Sequence, residues 1–288
     1  MKIAVLTDSS AYINQTDLDQ YHIYVINDPV LFGHHVYHEN VDLDAAKFYA
    51  LLKTEHEAPT SSQASNGEVQ RVLDQAVADG YDTAIVVGMS SGISGFISNV
   101  TSYAPSVKNI AVHVWDSRIA CAGAGNQVLL AAALAQQGLS VDEIFVRLAQ
   151  LRQTTKVMFV VNDMRHLMRT GRISNGQSLI GAMLQIKPML AFTPEGKIIA
   201  VGRERQMKRA FQTIQTQFHE IVAQTDYPLR VSIVDANNPD LKAQWLATSQ
   251  ANFPQVTFES GIIGPIIGVH TGEKAMGFIY ARDWQTLL

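Results

Sequence analysis

Thr83-Ala84-Ile85-Val86-Val87-Gly88-Met89-Ser90-Ser91-Gly92-Ile93-Ser94-Gly95 runs from a β-branched apolar strand straight into a loop of three serines and three glycines. Ser94 to Tyr103 then has helical spacing, so the chain reads strand, loop, helix at this point. Glycine lets backbone N–H groups come close to a ligand, serine hydroxyls add donors, and a helix start contributes unpaired N–H groups. Such a loop suits a carboxylate or a phosphate. Gly88-Met89-Ser90-Ser91-Gly92 is also a G-x-S-x-G pattern, which between strand and helix presents a nucleophile. The loop either holds an acyl group or attacks one.

Outward from this stretch the same alternation continues. Lys2 to Leu6, Ile23 to Ile26 and Ile110 to Trp115 read as strands, and Leu43 to Leu52, Glu68 to Ala78 and Gly125 to Gln137 as helices. Alternation of this kind predicts a largely parallel sheet with helices on both faces. Val141 to Leu151 is a helix whose Ser140 and Glu143 form a capping box. The second half differs. Val157 to Val161 is a strand, Met164 to Met168 helical, and Gln177 to Leu184 an apolar helix. Met189 to Phe192 and Lys197 to Val201 flank the hairpin turn Thr193-Pro194-Glu195-Gly196. A helix from Gln206 to Gln224, a strand from Arg230 to Val234, a helix from Pro239 to Gln250 and the strands Val256 to Phe258 and Met276 to Tyr280 follow. The expected fold is α/β in two domains: residues 1–154 around the parallel sheet, and residues 155–288 as an α+β unit with a mixed sheet.

The chain has 288 residues, 47% of them apolar and 17% charged, with formal net charge −4. That balance gives no polyanion footprint, so nucleic acid is not an expected partner. The lone Cys121 excludes an internal disulfide and a cysteine zinc site. Met1 to Asp8 reads as a strand rather than a signal peptide, and no apolar run reaches the ~20 residues of a membrane span. A cytoplasmic location without membrane insertion is expected.

In open α/β sheets ligands bind beyond the carboxyl ends of the strands. Those ends are polar here: Thr7-Asp8-Ser9-Ser10, the serine loop, and Asp116-Ser117-Arg118, joined by Ser61-Ser62-Gln63-Ala64-Ser65 before a helix. Each alone is ordinary capping chemistry; together with a Gly-Ser loop they favour a site. Arg165, Arg169 and Arg172 surround Gly171, and Arg205 follows a strand, so Arg172 and Arg205 are candidates for anion or partner contacts. His270 lies between glycines in the glycine-rich Gly264 to Gly272, where it could hydrogen-bond a carboxylate. Gly123-Ala124-Gly125 lacks the third glycine of a dinucleotide fingerprint, and there is no P-loop. His34, His35 and His38 with Glu39 fit no zinc spacing and read as an exposed turn. Met164, Met168, Met183 and Met189 either fill core gaps or line an adaptable apolar tunnel.

For hydrolysis, Asp235 and His270 follow Ser90 in the order Ser, Asp, His, but no oxyanion-hole motif is present and Asp235 sits in a turn-like Asp-Ala-Asn-Asn-Pro. Against it stands the ordered set Thr7-Asp8-Ser9-Ser10, Ser61-Ser62-Gln63-Ala64-Ser65, Ser90-Ser91-Gly92-Ile93-Ser94-Gly95, Asp116-Ser117, Gly171-Arg172-Ile173-Ser174, Lys187-Pro188 and His270-Thr271-Gly272. This set resembles the bacterial DegV family, whose members include the fatty-acid-binding subunits of fatty acid kinase.

The resemblance implies a non-catalytic protein that buries one long-chain fatty acid such as palmitate, its carboxylate near the domain interface. Ser61 and Ser94 would hydrogen-bond the carboxylate, assisted by the Gly95 amide and His270, with Ser62 beside them. A separate ATP-binding kinase subunit would phosphorylate the bound acid, with Arg172 and Arg205 in docking or transfer. No cofactor or metal is implied. Physically, burying the chain gains about 0.8 kcal/mol per CH₂, while an unpaired buried carboxylate is prohibitive, so several donors must converge on one point. The chain departs from the family pattern at Ser61 (Thr is usual), Ala64 (Pro), Thr170 (Gly) and Glu273-Lys274, where a small Pro/Ser-Gly pair is usual.

Overall fold

Residues 2–174 and 186–288 are described by the computed structural model. In chain order the first half forms β1 (Ile3–Asp8), α1 (Gln15–Tyr21), β2 (Ile23–Ile26), β3 (Pro29–Phe32), β4 (His35–His38), α2 (Ala45–Thr54), β5 (Thr60–Ser61), α3 (Asn66–Ala78), β6 (Thr83–Gly88), α4 (Phe96–Tyr103), β7 (Ala111–Asp116), α5 (Ala122–Gln136) and α6 (Val141–Thr154). The second half forms β8 (Lys156–Val160), α7 (Arg165–Thr170), β9 (Lys187–Phe192), β10 (Ile198–Glu204), α8 (Met207–Gln224), β11 (Leu229–Asp235), α9 (Pro239–Asn252), β12 (Thr257–Ile262), α10 (Pro265–Thr271) and β13 (Met276–Arg282).

The parallel sheet has the order β2-β1-β6-β7. Strand order reverses between β1 and β6, so the loops leaving these two strands open the crevice where α/β sheets bind ligands. The central strands β1 and β6 are buried on both sides: α5 and α6 pack Val128, Leu130 and Ile144 on one face, while α3 and α4 pack Val69, Leu73 and Phe96 on the other. Helix starts are fixed locally, since both Ser65 with Glu68 and Ser140 with Glu143 close full capping boxes.

The second sheet is mixed and six-stranded, in the order β10-β9-β8-β13-β11-β12, with β11 and β12 its parallel pair. Its strands alternate. Met158, Val160 and Phe278 face α8 and α9, whereas Val157, Phe159 and Ile279 face the other way, into a core shared with the first half. A small antiparallel sheet, β4-β3-β5, carries residues 29–61 toward α10.

Two expectations need correction, and one stretch gains an element. His35 and His38 belong to β4 of a hairpin rather than an exposed turn, and His38 pairs with Glu68 at 3.0 Å. The glycine-rich stretch before His270 forms α10: Gly264 caps it, Pro265 takes the first helical position, and Gly272, at φ 69°, ends the helix. Gly268 sits inside it because a β-carbon there would press on Phe48 and Tyr49. The helix beginning at Ser94 starts two residues later, at Phe96. The apolar helix expected at Gln177 to Leu184 lies outside the described residues.

Candidate functional site

A cavity of about 340 Å³ lies between the carboxyl edge of the parallel sheet and the inner face of the mixed one. Its polar end collects Ser61, Ser62, Ser94, Gly95, Arg172 and His270. Its walls are apolar: Val157, Phe159, Phe192, Ile198, Val234 and Ile279 all come from the mixed sheet.

The serine loop divides its hydroxyls between scaffold and cavity. Ser90, fully buried, donates its hydroxyl to the Gly196 carbonyl at 2.7 Å and accepts from the Gly92 N–H at 3.1 Å. Ser91 donates to Asp116 at 2.6 Å. Both glycines of the loop's second half are required by close approach: a β-carbon on Gly92 would overlap the Gly196 carbonyl, and one on Gly95 the Gln63 amide. Ser94 differs from the other two. Its oxygen accepts from the Phe96 N–H at 3.2 Å, which leaves its own proton free to be donated into the cavity.

Ser61 is fixed by pairing β5 with Val30 of β3, and its hydroxyl lies 2.8 Å from His270 Nε2. His270 rides on the last turn of α10. Burial, together with the Arg172 and Arg169 charges, pushes it down to about 3, so the imidazole is neutral at physiological pH. An Nε2–H tautomer donates to Ser61 and releases the Ser61 proton for a ligand. Arg172 follows the left-handed Gly171 that ends α7, and its Nε reaches the Ile93 carbonyl at 3.3 Å. It therefore adds positive charge to this end of the cavity without protonating the histidine. Ser62 is exposed at the lip, its N–H spent on the Pro29 carbonyl. Arg205 does not join this group; it is exposed in the bend after β10.

The hydrolase constellation is not assembled. Ser90 is committed to Gly196, Asp235 pairs with Lys242 at 2.7 Å and caps the turn at Asn238, and His270 faces Ser61. The methionine tunnel also needs correction: Met164 and Met189 are core residues, and the walls are branched aliphatic and aromatic, because β-strands contribute them. Met183 lies outside the described residues. Sequence reasoning missed Gln63 and Ile119 to Cys121 among the lining residues. The polar Asp116-Ser117-Arg118 pointed to the right strand end, but the apolar residues beyond it carry no local signal.

The departures from the family pattern are accommodated. Ser61 keeps the hydroxyl, Thr170 bonds back to the His166 carbonyl at 2.9 Å, and Glu273 pairs with Lys53 at 2.7 Å and Asn237 at 2.6 Å. Among the described residues no cluster of His, Cys, Asp and Glu could hold a metal, and no helix is long and apolar enough to cross a membrane.

Fold and site together define an α/β binding protein whose cavity is donor-rich at one end and apolar along its walls. The chain belongs to the DegV family, whose profile, described as an uncharacterised protein family, matches residues 2–283. It is 35% identical over 281 residues to Protein DegV of Bacillus subtilis (strain 168), covering 97% of this chain and 99% of that one. A crystal structure of DegV from Bacillus subtilis, described as a fatty acid binding protein, superposes with a TM-score of 0.90 at 35% identity, covering 98% and 99% of the two chains. A DegV family protein from Thermus thermophilus, described by its fatty acid binding, gives a TM-score of 0.90 at 26% identity, covering 98% and 100%.

Proposed function

We propose that this protein binds one long-chain fatty acid in the cavity and carries out no chemistry on it. The carboxylate is held by the hydroxyls of Ser61 and Ser94, the Gly95 amide and His270, with Ser62 at the lip. The observation that carries this reading is the convergence of Ser61, Ser94 and His270 on one end of an otherwise apolar cavity. The Gly95 N–H has no hydrogen-bond partner among the described residues, which leaves it for the ligand. Arg172 supplies a favourable field for an anion. Each methylene buried along the walls gains about 0.8 kcal/mol, so a palmitate-sized chain is retained tightly once its carboxylate is paired. The descriptions of the Bacillus subtilis and Thermus thermophilus relatives support the same ligand class.

On this reading residues 1–154 supply the loops that hold the carboxylate and residues 155–288 cover the acyl chain, in a cytoplasmic protein. The bound carboxylate is presented to an ATP-binding kinase subunit, with Arg172 at the cavity end and the exposed Arg205 as docking or transfer residues. Native mass spectrometry of protein purified without detergent tests the binding. One fatty acid per chain is expected, and its affinity should fall about tenfold or more in Ser94→Ala, which removes a hydrogen bond to a charged group. Protein that is empty, and that takes up no added palmitate, overturns the reading. An Arg205→Ala variant should bind palmitate normally yet be a poorer substrate carrier for a kinase partner in an ATP-dependent acyl phosphate assay.

A further inference from the structure

Three segments reach the polar end of the cavity from distant parts of the chain: the loop after β6, the segment after β5, and α10. Each is anchored by one backbone N–H to a different buried carboxylate. Met89 donates to Asp8 Oδ2 at 2.6 Å, Ala64 to Asp28 Oδ1 at 3.0 Å, and Ile266 to Glu39 Oε1 at 3.2 Å. Relative exposures of 0%, 1% and 0% place all three carboxylates out of reach of solvent. Their own strand ends are stitched together as well: Asp8 accepts from the Ser10 N–H at 3.0 Å, and the Asp28 N–H donates to Ser9 Oγ at 3.2 Å.

None of the three has a cationic partner among the described residues. The titratable groups facing them are Tyr12, Tyr49 and Cys121, together with Glu68, which His38 holds at 3.0 Å. Asp28 Oδ2 has no hydrogen-bond partner among the described residues. Three close buried carboxylates cannot all be ionised without a counter-charge. Burial, and then the Asp8 and Glu39 charges, hold Asp28 well above the usual carboxylate range, and burial pushes Glu39 up to about 7.

We propose that Asp8, Asp28 and Glu39 are positioning residues, a proton-sharing cluster that holds the three ligand-lining segments in register, so that the grip on the bound carboxylate loosens as the cluster loses its protons. This rests on the fatty-acid reading of the cavity, but its mechanical part does not. Ala64 is central to it, because its N–H ties the segment after β5 to Asp28. Loss of the shared protons acts twice in the same direction: the carboxylates repel one another, and they add negative charge behind a site meant for an anion.

The test uses Asp28→Asn and Asp28→Ala in the full chain, with cis-parinaric acid as fluorescent ligand and amide hydrogen exchange on the ligand-free protein. Asp28→Asn retains an acceptor for Ala64 without the charge. It should bind within about twofold of the parent at pH 6 and lack the parent's loss of affinity above pH 7. Asp28→Ala should bind about tenfold more weakly and lose exchange protection at Met89 and Ile266, whose N–H groups do not touch Asp28. Should Asp28→Ala not fold, Ala64→Pro, which removes the same N–H while fixing φ, should show the same loss of protection at Met89 and Ile266. Unchanged protection at these two amides, or a pH profile identical in parent and Asp28→Asn, overturns the proposal. A parent protein that binds no cis-parinaric acid at any pH overturns the fatty-acid reading instead, and the exchange arm still decides the cluster.

Discussion

The two sheets meet the cavity in different ways, one with its edge and the other with its face. The parallel sheet contributes the loops beyond β6 and β7, so beside the apolar Ile119 to Cys121 it presents backbone N–H, hydroxyl and the turn geometry that aims them. The mixed sheet contributes alternate side chains of β8, β11 and β13, which can offer only what a pleated surface offers: branched and aromatic bulk. On the fatty-acid reading proposed above, the edge holds the head of the ligand and the face accommodates its tail. Ser90 fastens one to the other, through the carbonyl of Gly196 in the β9–β10 turn.

Breaking the face should do the most damage. Ile279→Asp puts a charge on the buried wall and should cost about 3 kcal/mol or more of folding stability, read as a lower urea midpoint at unchanged slope. An unaltered midpoint would mean that the wall is hydrated and not a face for a tail. At the polar end, where α10 joins the edge, His270 gives a pH-dependent effect of intermediate size. Its folded-state value of about 3 lies below the ordinary 6.5, so the unfolded chain binds a proton that the folded one refuses. Stability should consequently fall as pH drops below about 6.5, by on the order of 2 kcal/mol at pH 5. Urea titrations at pH 7 and pH 5 should show this loss in the parent and not in His270→Asn; an equal response in both would place the histidine in contact with water. Glu39 has the opposite sign, since its raised value makes stability fall as pH climbs from about 4.5 toward 7. The fastening itself is the smallest effect: Ser90→Ala strands the buried Gly196 carbonyl and should cost about 1–2 kcal/mol in the same assay. Neither parent nor variant should react with a fluorophosphonate probe, and labelling of Ser90 would restore the nucleophile reading.

The edge was far more legible in the sequence than the face. Capping boxes such as Ser140 with Glu143 are local, four-residue signals, and strand–helix alternation needs only short windows, so the parallel half could be read almost element by element. Helix α10 was hidden because Gly264, Gly268 and Gly272 speak for a loop locally, while the reason for Gly268 lies in Phe48 and Tyr49, some two hundred residues away. The pairing of Ser61 with His270, 209 residues apart, was reachable only through the resemblance to a family. The walls could not be read at all. β8 and β13 are apolar on both sides, and a strand buried on both faces does not announce which side borders empty space.

That same two-sidedness carries an evolutionary consequence. In β8 and β13 each residue that borders the cavity is followed by one that packs on the helical layer behind: Val157 by Met158, Phe159 by Val160, Gly277 by Phe278, and Ile279 by Tyr280. Selection can thus enlarge or shorten the chamber one peptide at a time while the adjoining positions conserve the scaffold. Divergent members of such a lineage could come to prefer different occupants without ever passing through an unstable ancestor.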